Sequence, residues 1–327
     1  MKAISFNTFG DAGVLQISEA PEPLLRPTDL LVRVRAAGVN RADLIHRNGG
    51  YGRPDFGDST IMGLEIAGEV IAMGMETTGF EVGQRVMGVV GGGAYAELAR
   101  IDHRMAMPIP HELDFVHAAA IPEAFITAHE ALIHLAELQP HETVLIHAAA
   151  SGVGSAAVQL ACAVGGRIIG TTKAEKLDGI RKLGVDIAVD YQHQDFAAVV
   201  AEATDGRGVD VVIDFVGAPY LERNVRSMAE GGRLIQVGIM GGAADARLPL
   251  DAVLYRHLRI IGTVMKSRPT DVKCAMSRRF GDRWLEHFDN GAVRAVIDSM
   301  FPFARAADAH RRMESGQGIG KIILSVD

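Results

Sequence analysis

One stretch of the sequence combines an apolar strand, a turn of small residues and the start of a helix. Residues 144–147 read Val-Leu-Ile-His, and residues 148–154 read Ala-Ala-Ala-Ser-Gly-Val-Gly. Beyond this turn, apolar residues recur at the spacing of one helix face as far as Ala161. The first turn of a helix has N–H groups without intrahelical partners and the positive end of the helix dipole. The stretch therefore predicts an anion-binding site.

The same turn fits the Gly-x-Gly-x-x-Gly pattern of dinucleotide-binding folds only loosely. Ala149, Ser151 and Gly154 occupy the three key positions of that pattern. Alanine and serine are still small enough for the backbone to come close to a phosphate. The sequence therefore favours a bound dinucleotide over an ordinary small-residue turn.

The next predicted strand indicates which dinucleotide would bind. It ends at Thr171, and Thr172, Lys173 and Lys176 follow it, with no acidic residue at the strand end. An acidic residue there would accept from the ribose 2′-OH of NAD, whereas hydroxyl and ammonium groups suit a 2′-phosphate. We therefore expect NADPH rather than NADH. The alternative is that both lysines, with Glu175 between them, only solvate the start of a helix.

The elements that must position these residues indicate two domains in a chain of 327 residues. Up to residue 122, short runs of alternating polarity are separated by glycine and proline, which predicts an antiparallel, partly barrel-like domain. A short helix is expected at 41–47, with Asn40 as its N-cap. From residue 123, helices alternate with apolar strands, which predicts a doubly wound parallel sheet of about six strands with a cofactor at their carboxyl ends.

The predicted fold class is α/β, and the closing strand, 321–326, is expected to return to the first domain. Other expected strands lie at 95–99, 143–147 and 258–265, and expected helices lie at 123–138, 152–164 and 174–183.

The sequence does not contain the residues of a zinc site. Many dehydrogenases with this domain order hold a catalytic zinc ion with cysteine and histidine. The segments that would supply those ligands here are 38–43 and 63–65, and neither contains a cysteine or a histidine. Carboxylates and amides alone do not form a typical zinc site. None of the twelve histidines forms a metal-binding pair with a third ligand nearby. We therefore expect no metal, and we expect Cys162 and Cys274 to be buried structural thiols.

Composition excludes several other classes of function. The hydrophobic content of 48%, the charged content of 22% and the net charge of −7 are typical of a soluble globular protein. The acidic balance argues against a nucleic-acid partner or an anionic membrane surface. No stretch approaches the roughly 20 apolar residues that a membrane span needs, and the first residues lack the apolar core of a signal peptide. We expect a cytoplasmic protein. The absence of a Gly-x-Ser-x-Gly elbow leaves nucleophilic hydrolysis without support.

Several segments together resemble the zinc-independent medium-chain dehydrogenase/reductases of the quinone oxidoreductase (zeta-crystallin-like) group. These segments are 39–44 (Val-Asn-Arg-Ala-Asp-Leu), 49–51 (Gly-Gly-Tyr), 119–128 (Ala-Ala-Ile-Pro-Glu-Ala-Phe-Ile-Thr-Ala), 147–154 and 318–322 (Gly-Ile-Gly-Lys-Ile). Within the group, residues 120–124, 150–154 and 265–268 are most similar to the tumour-suppressor-inducible quinone oxidoreductase branch. The resemblance covers the whole chain. It implies a GroES-like β-rich catalytic domain over 1–122 and 267–327, and a Rossmann domain over 123–266 that binds NADPH in the cleft between them.

The resemblance also implies roles for individual residues. Ser151, Gly152, Val153 and Gly154 would hold the pyrophosphate, and Lys176 and Tyr191 the 2′-phosphate, with Lys173 nearby. Further residues would line the nicotinamide and its ribose: Thr127, Val216, Gly238, Met240, Gly241, Met265 and Ser267. Asn40, Asp43 and Tyr51 would face the substrate. Family members are usually homodimers, sometimes tetramers, and the predicted strand 258–265 would pair across the interface.

Three functions follow as hypotheses. The first is hydride transfer from NADPH to a quinone, with Tyr51 orienting or protonating the quinol oxygen, Asn40 as its hydrogen-bond partner and Asp43 ordering that network. Tyr51 could equally be a wall residue that only shapes the pocket. The second is the same chemistry on an activated alkene, such as an enone or an enoyl thioester. The third is an NADPH-binding sensor or an RNA-binding protein with little turnover, against which the acidic charge weighs.

Overall fold

The computed structural model describes residues 1–50 and 59–326, and the chain divides into two compact units. The first unit comprises Met1–Ile126 and Pro269–Asp327, and the second comprises Thr127–Arg268. Tyr51 lies outside the described residues. Within the described residues, no helix is both long enough and apolar enough to cross a membrane.

The amino-terminal part of the first unit is rich in strands. Its strands are β1 (Lys2–Ser5), β2 (Gln16–Glu19), β3 (Asp29–Val39), β4 (Glu65–Met73), β5 (Arg85–Val89), β6 (Leu98–Asp102) and β7 (Ala106–Pro108). Its helices are α1 (Arg41–Arg47) and α2 (Phe115–Ala118). Helix α3 (Pro122–His129) begins in the first unit and ends in the second, where it continues as a π-helical turn over Glu130–Leu135.

The second unit alternates strands and helices. Its strands are β8 (Thr143–Ile146), β9 (Arg167–Thr172), β10 (Ile187–Asp190), β11 (Val209–Asp214), β12 (Met228–Gln236) and β13 (Arg259–Gly262). Its helices are α4 (Gly152–Val164), α5 (Leu177–Lys182), α6 (Phe196–Ala203), α7 (Ala218–Arg226) and α8 (Leu250–Tyr255). The chain then returns to the first unit with α9 (Thr270–Asp289), β14 (Ile297–Pro302), α10 (Ala306–Ser315) and β15 (Lys321–Ser325).

The long strand β3 is the centre of the first unit. It pairs antiparallel with β4, with β6 and with the carboxyl-terminal strand β15, in which Ile322 lies opposite Val39. Leu30, Val32 and Val34 alternate along β3 and are buried in the core of this unit. The tail therefore joins the sheet of the first unit, which was expected from the closing strand.

The second unit contains a parallel sheet of six strands in the order β10-β9-β8-β11-β12-β13. Its central strands are apolar on both faces because helices cover both faces. The chain leaves β8 towards β9 on one side and later returns to β11 on the other. This reversal of direction beside β8 is the point at which ligands bind in open parallel sheets, at the carboxyl ends of the strands.

Several predicted elements differ from the structure. The helix predicted at 123–138 is α helical only as far as His129, the strand predicted at 95–99 lies at Leu98–Asp102, and the helix predicted at 174–183 opens as a 3₁₀ turn. The prediction that both cysteines are buried was wrong for Cys162, which is exposed in the last turn of α4, while Cys274 is buried. Cys162 differs because the buried part of α4 ends just before it: residues 154–161 are all buried, whereas Cys162 and Ala163 in the last turn are exposed.

Candidate nucleotide-binding site and buried polar cluster

Hydrogen bonds from both neighbouring strands fix the turn that follows β8. The His147 N–H donates to Ile213 O (3.1 Å) in β11, and the Ala149 N–H donates to Thr171 O (3.0 Å) in β9. Between these two residues Ala148 has a φ of 47°, in the left-handed region that non-glycine residues rarely adopt. The turn therefore has one well-defined path towards the start of α4.

The start of α4 is built for close approach to this turn. Ser151 is the N-cap, and its Oγ accepts from Gly154 N (3.0 Å). A Cβ at Gly154 would lie only 2.2 Å from Ala148 O, so only glycine fits. The amides of Gly152 and Val153, which are half-buried, belong to the first helical turn and have no intrahelical acceptor. No acidic residue lies in this turn. The arrangement therefore fits a diphosphate group.

The predicted 2′-phosphate residues lie where two neighbouring strands end. β9 pairs with β10 up to Thr172 and Asp190, and Tyr191 N donates to Thr172 O (3.1 Å). Lys173 is half-buried, Lys176 is buried, and Tyr191 is exposed. Asp190, which was not among the predicted site residues, adds an acid at this edge. A hydrogen bond from His193 lowers the pKa of Asp190, so this carboxylate already has a partner within the protein.

Most residues of the predicted nicotinamide end are also brought together. Gly241 N donates to Val216 O (2.8 Å) and Met240 N donates to Phe215 O (2.9 Å), which joins the turns after β11 and β12. Gly238 belongs to the same pair of turns. After β13 come Met265, which is buried, and Ser267, which is exposed, whereas Thr127 lies in α3.

The first unit contains a buried polar cluster that includes Asn40. Lys321 Nζ donates to Glu65 Oε1 (2.6 Å) and to Asn40 Oδ1 (2.6 Å). Asn40 Nδ2 donates to Glu65 Oε1 (2.8 Å) and to Gly38 O (3.3 Å). The second carboxylate oxygen of Glu65 accepts from Glu123 N (2.8 Å) in the first turn of α3. Both hydrogens and the oxygen of the Asn40 amide are therefore used inside the protein.

Asp43 lies in the continuation of this cluster and is almost completely buried. Its Oδ2 accepts from Asn40 N (2.8 Å) and from Tyr95 Oη (3.1 Å). Burial raises the pKa of Asp43 to about 7, although its hydrogen bonds and Lys321 act in the opposite direction. Tyr95 in turn contacts His310 Nε2 (3.2 Å), whose pKa burial lowers to about 3. Asn40, Asp43, Tyr95 and His310 thus form one hydrogen-bonded network at the first turn of α1.

Sequence reasoning missed Glu65, Tyr95, Lys321 and His310 as members of one cluster. The only local signal was an acid at Glu65 and a base at Lys321, each at the start of a largely apolar strand. Within the described part of the chain, no group of three or more His, Cys, Asp or Glu side chains could hold a metal ion.

Comparisons with known proteins match both units. Residues 26–111 match the alcohol dehydrogenase GroES-like domain family, and residues 152–280 match the zinc-binding dehydrogenase family. A quinone oxidoreductase of Pseudomonas aeruginosa is 34% identical over 99% of both chains. One component of the phenolphthiocerol/phthiocerol polyketide synthase of Mycobacterium tuberculosis is 35% identical over 97% of this chain, which spans only 14% of that protein's length.

Solved structures are similar over the whole chain. The Escherichia coli quinone oxidoreductase complexed with NADPH is 27% identical, with a TM-score of 0.90 and all of both chains covered. The CurK enoyl reductase is 25% identical, with a TM-score of 0.87, and the match covers all of this chain and 99% of that one.

Proposed function

Because this chain belongs to the medium-chain dehydrogenase/reductase superfamily, in its quinone oxidoreductase-like branch, and is an NAD(P)-dependent oxidoreductase, we propose that it reduces quinones with NADPH. The observation that carries the choice of NADPH is the pair Lys173 and Lys176 after β9, where an NAD-preferring sheet has an acid. We further propose that it is a cytoplasmic enzyme of the tumour-suppressor-inducible branch, on the residues at 120–124, 150–154 and 265–268.

The types of residue at the positions expected for metal ligands support a reaction without zinc. The segments 38–43 and 63–65 supply Asn40 and Glu65, which are bonded to each other and to Lys321. An ammonium group bonded to this carboxylate competes with any cation for it. Hydride acceptors that need no metal to polarise them, such as quinones and activated alkenes, fit this arrangement best.

The chain's own residues would bind and orient the cofactor. The first turn of α4, with Ser151, Gly152, Val153 and Gly154, would hold the diphosphate, and Lys173, Lys176 and Tyr191 the 2′-phosphate. The turns after β11, β12 and β13 would hold the nicotinamide end. When bound, NADPH supplies the hydride, so the protein's contribution is position and exclusion of water.

On the acceptor side, we propose that Asp43 orders the backbone of Asn40 rather than donating a proton to substrate. Two hydrogen bonds to one carboxylate oxygen support this role. Asn40, whose amide already bonds to Glu65, Lys321 and Gly38, would shape the acceptor site more than bond to the acceptor. Tyr51 remains our candidate for orienting or protonating the quinol oxygen.

A second candidate is reduction of an activated alkene. The similarity to the CurK enoyl reductase and to a polyketide synthase favours this class of acceptor. Hydride transfer to an enone or an enoyl thioester would use the same nucleotide site.

We also propose that the protein is a homodimer that pairs through β13. Among the described strands, β13 is the last of the six-stranded sheet and leaves one edge free. Exposed apolar side chains lie on β13 and beside it: Leu250, Leu254, Tyr255, Ile260 and Val264. An exposed apolar edge strand favours pairing with a second sheet, and a further pairing of dimers would give a tetramer.

The test of the reaction is stopped-flow oxidation of NADPH with 1,4-benzoquinone, 9,10-phenanthrenequinone, 2-hexenal and crotonyl thioester. NADH serves as the parallel donor, and cytochrome c traps any semiquinone. We expect rapid turnover of quinones with NADPH. Turnover of the alkenes alone would move the assignment to the second candidate. Tight binding of NADPH without turnover of any acceptor would contradict both proposed reactions and favour an NADPH-binding sensor.

A further inference from the structure

We propose that His147 is a positioning residue for the nucleotide: a neutral imidazole that holds the ends of β9 and β11 in one arrangement on either side of the phosphate turn. The inference rests on the proposed binding of NADPH and adds a residue that would not itself touch the cofactor. His147 is completely buried and directly precedes the turn at 148–151.

The hydrogen bonds of His147 fix its proton. Its Nε2 lies 2.7 Å from Asn224 Oδ1, and Asn224 Nδ2 donates to Asp214 Oδ2 (3.2 Å). Because Asn224 uses its NH₂ group towards Asp214, its oxygen faces the imidazole, and His147 Nε2 must carry the proton. Nδ1 is then an acceptor, and it lies 3.0 Å from Thr171 Oγ1, whose hydroxyl donates to it.

This series of hydrogen bonds runs from Thr171 to Asp214, and each of these two residues lies beside one end of the candidate nucleotide site. Thr171 accepts from Ala149 N with its own carbonyl and is followed by Thr172 and Lys173. At the other end, Asp214 accepts from Val216 N (2.6 Å) and from Gly217 N. The side chains thus connect the proposed 2′-phosphate end with the turn of the proposed nicotinamide end.

The surroundings of His147 keep it neutral. The rings of Phe196 and Tyr220 lie edge-on to it, with centroids at 4.7 and 4.8 Å, and the Arg223 guanidinium covers both rings. Burial, with a smaller effect of Arg223, lowers the pKa of His147 to about 4. An imidazolium would lose the acceptor that Thr171 needs, so neutrality preserves the arrangement.

Two substitutions of His147 each keep one of its two hydrogen bonds and remove the other. In His147→Gln the amide nitrogen can still donate to Asn224, but the bond from Thr171 is lost. In His147→Asn the amide oxygen can still accept from Thr171, but the bond to Asn224 is lost. Thr171→Val removes only the hydroxyl and leaves the volume nearly unchanged, so it remains informative if the histidine variants fold poorly. Thr143→Val, a buried threonine at the opposite end of β8, is the matched control.

Fluorescence titration with NADPH and with NADH tests the inference. Loss of the Thr171 bond in His147→Gln and Thr171→Val should reduce the preference for NADPH over NADH by about tenfold. His147→Asn should keep that preference and weaken the binding of both nucleotides by about tenfold. Thr143→Val should change neither the preference nor the affinities, because Thr143 begins β8 at the end away from the phosphate turn.

A measurement without nucleotide tests the assigned proton. In ¹⁵N-histidine-labelled protein at pH 7, we expect the His147 resonances of a neutral ring protonated only at Nε2. An Nδ1–H tautomer, or a Thr171→Val variant with the wild-type nucleotide preference, would overturn the inference. If wild-type protein binds neither nucleotide, the proposed function fails as well. If it binds NADPH but the variants match Thr143→Val, only the role of His147 fails.

Discussion

Asp43 is a buried acid whose two accepted hydrogen bonds end on the same oxygen, Oδ2. Because burial raises its pKa from 3.8 to about 7, the native state binds more protons than the unfolded state between these values. The contribution of Asp43 to stability should therefore fall as pH rises through this window, by up to about 1.4 kcal/mol per pH unit, and then level off.

Asp43→Asn tests this pH dependence. The amide oxygen of Asn can accept both hydrogen bonds, but the side chain does not titrate. We expect the variant to gain stability relative to wild type between pH 5 and pH 7.5, measured as the urea midpoint at each pH. Asp282→Asn, on the exposed side of α9, controls for the loss of a charge. Parallel pH profiles for wild type and Asp43→Asn would show that Asp43 is already ionised at pH 5.

Lys173 is the residue on which the preference for NADPH is most directly tested. It is half-buried at the end of β9, where an ammonium group could contact a phosphate without moving the strand. A charge-assisted hydrogen bond to phosphate contributes about 1.5–3 kcal/mol, so Lys173→Gln should weaken NADPH binding by about 10- to 100-fold. NADH binding should change little. Lys182→Gln, in the exposed last turn of α5, should leave both affinities unchanged, and an equal loss for both nucleotides in Lys173→Gln would refute the assignment.

At the scale of the element, the start of α4 depends on glycine. A Cβ at Gly154 would lie 2.2 Å from a backbone oxygen, Ala148 O, which belongs to a turn fixed on both sides by hydrogen bonds. Gly154→Ala must therefore displace the first turn of α4 or the phosphate turn itself. We expect a loss of about 1–3 kcal/mol in stability, typical of overpacking, and at least tenfold weaker NADPH binding.

Gly281→Ala is the matched control for this change. Gly281 lies within α9, where the nearest atom to an added Cβ is Met107 Sδ at an ordinary 3.5 Å. Alanine should be neutral or slightly stabilising there, because it has the higher helix propensity. Thermal unfolding and NADPH titration of both variants check the prediction, and wild-type affinity in Gly154→Ala would show that the close packing is not needed for binding.

Elements with a strong local signal could be predicted from the sequence. α4 has the predicted bounds because an N-cap side chain marks its start and a glycine follows its last residue. The helix predicted at 123–138 was less accurate, because apolar spacing does not distinguish an α turn from the π turn at Glu130–Leu135. The pairing of Glu65 with Lys321 could not be predicted, since it joins β4 to a strand more than 250 positions away in sequence. Local patterns indicate what each segment forms, whereas buried polar contacts depend on which segments become neighbours.

At the scale of the whole molecule, the β13 edge of the second unit's sheet determines the proposed assembly. Among the strands that the structure describes, β13 pairs with β12 alone. Ile260 is 39% exposed on this strand, and Leu254 and Tyr255 on the preceding helix are 65% and 78% exposed. Apolar groups and unpaired backbone groups at one edge favour association of two copies, because each copy covers the same surface of the other.

Ile260→Lys should dissociate this assembly. A lysine on the edge strand would lose its hydration in the interface, and the free-energy cost of that loss opposes pairing. By light scattering after size-exclusion chromatography, we expect wild type at twice the 34.9 kDa of one chain and Ile260→Lys at that mass itself. Met75→Lys changes a 90% exposed methionine in the first unit and should remain dimeric. A dimer that persists in Ile260→Lys would place the interface elsewhere, whereas a tetrameric wild type that falls to dimers would show that β13 forms only one of two interfaces.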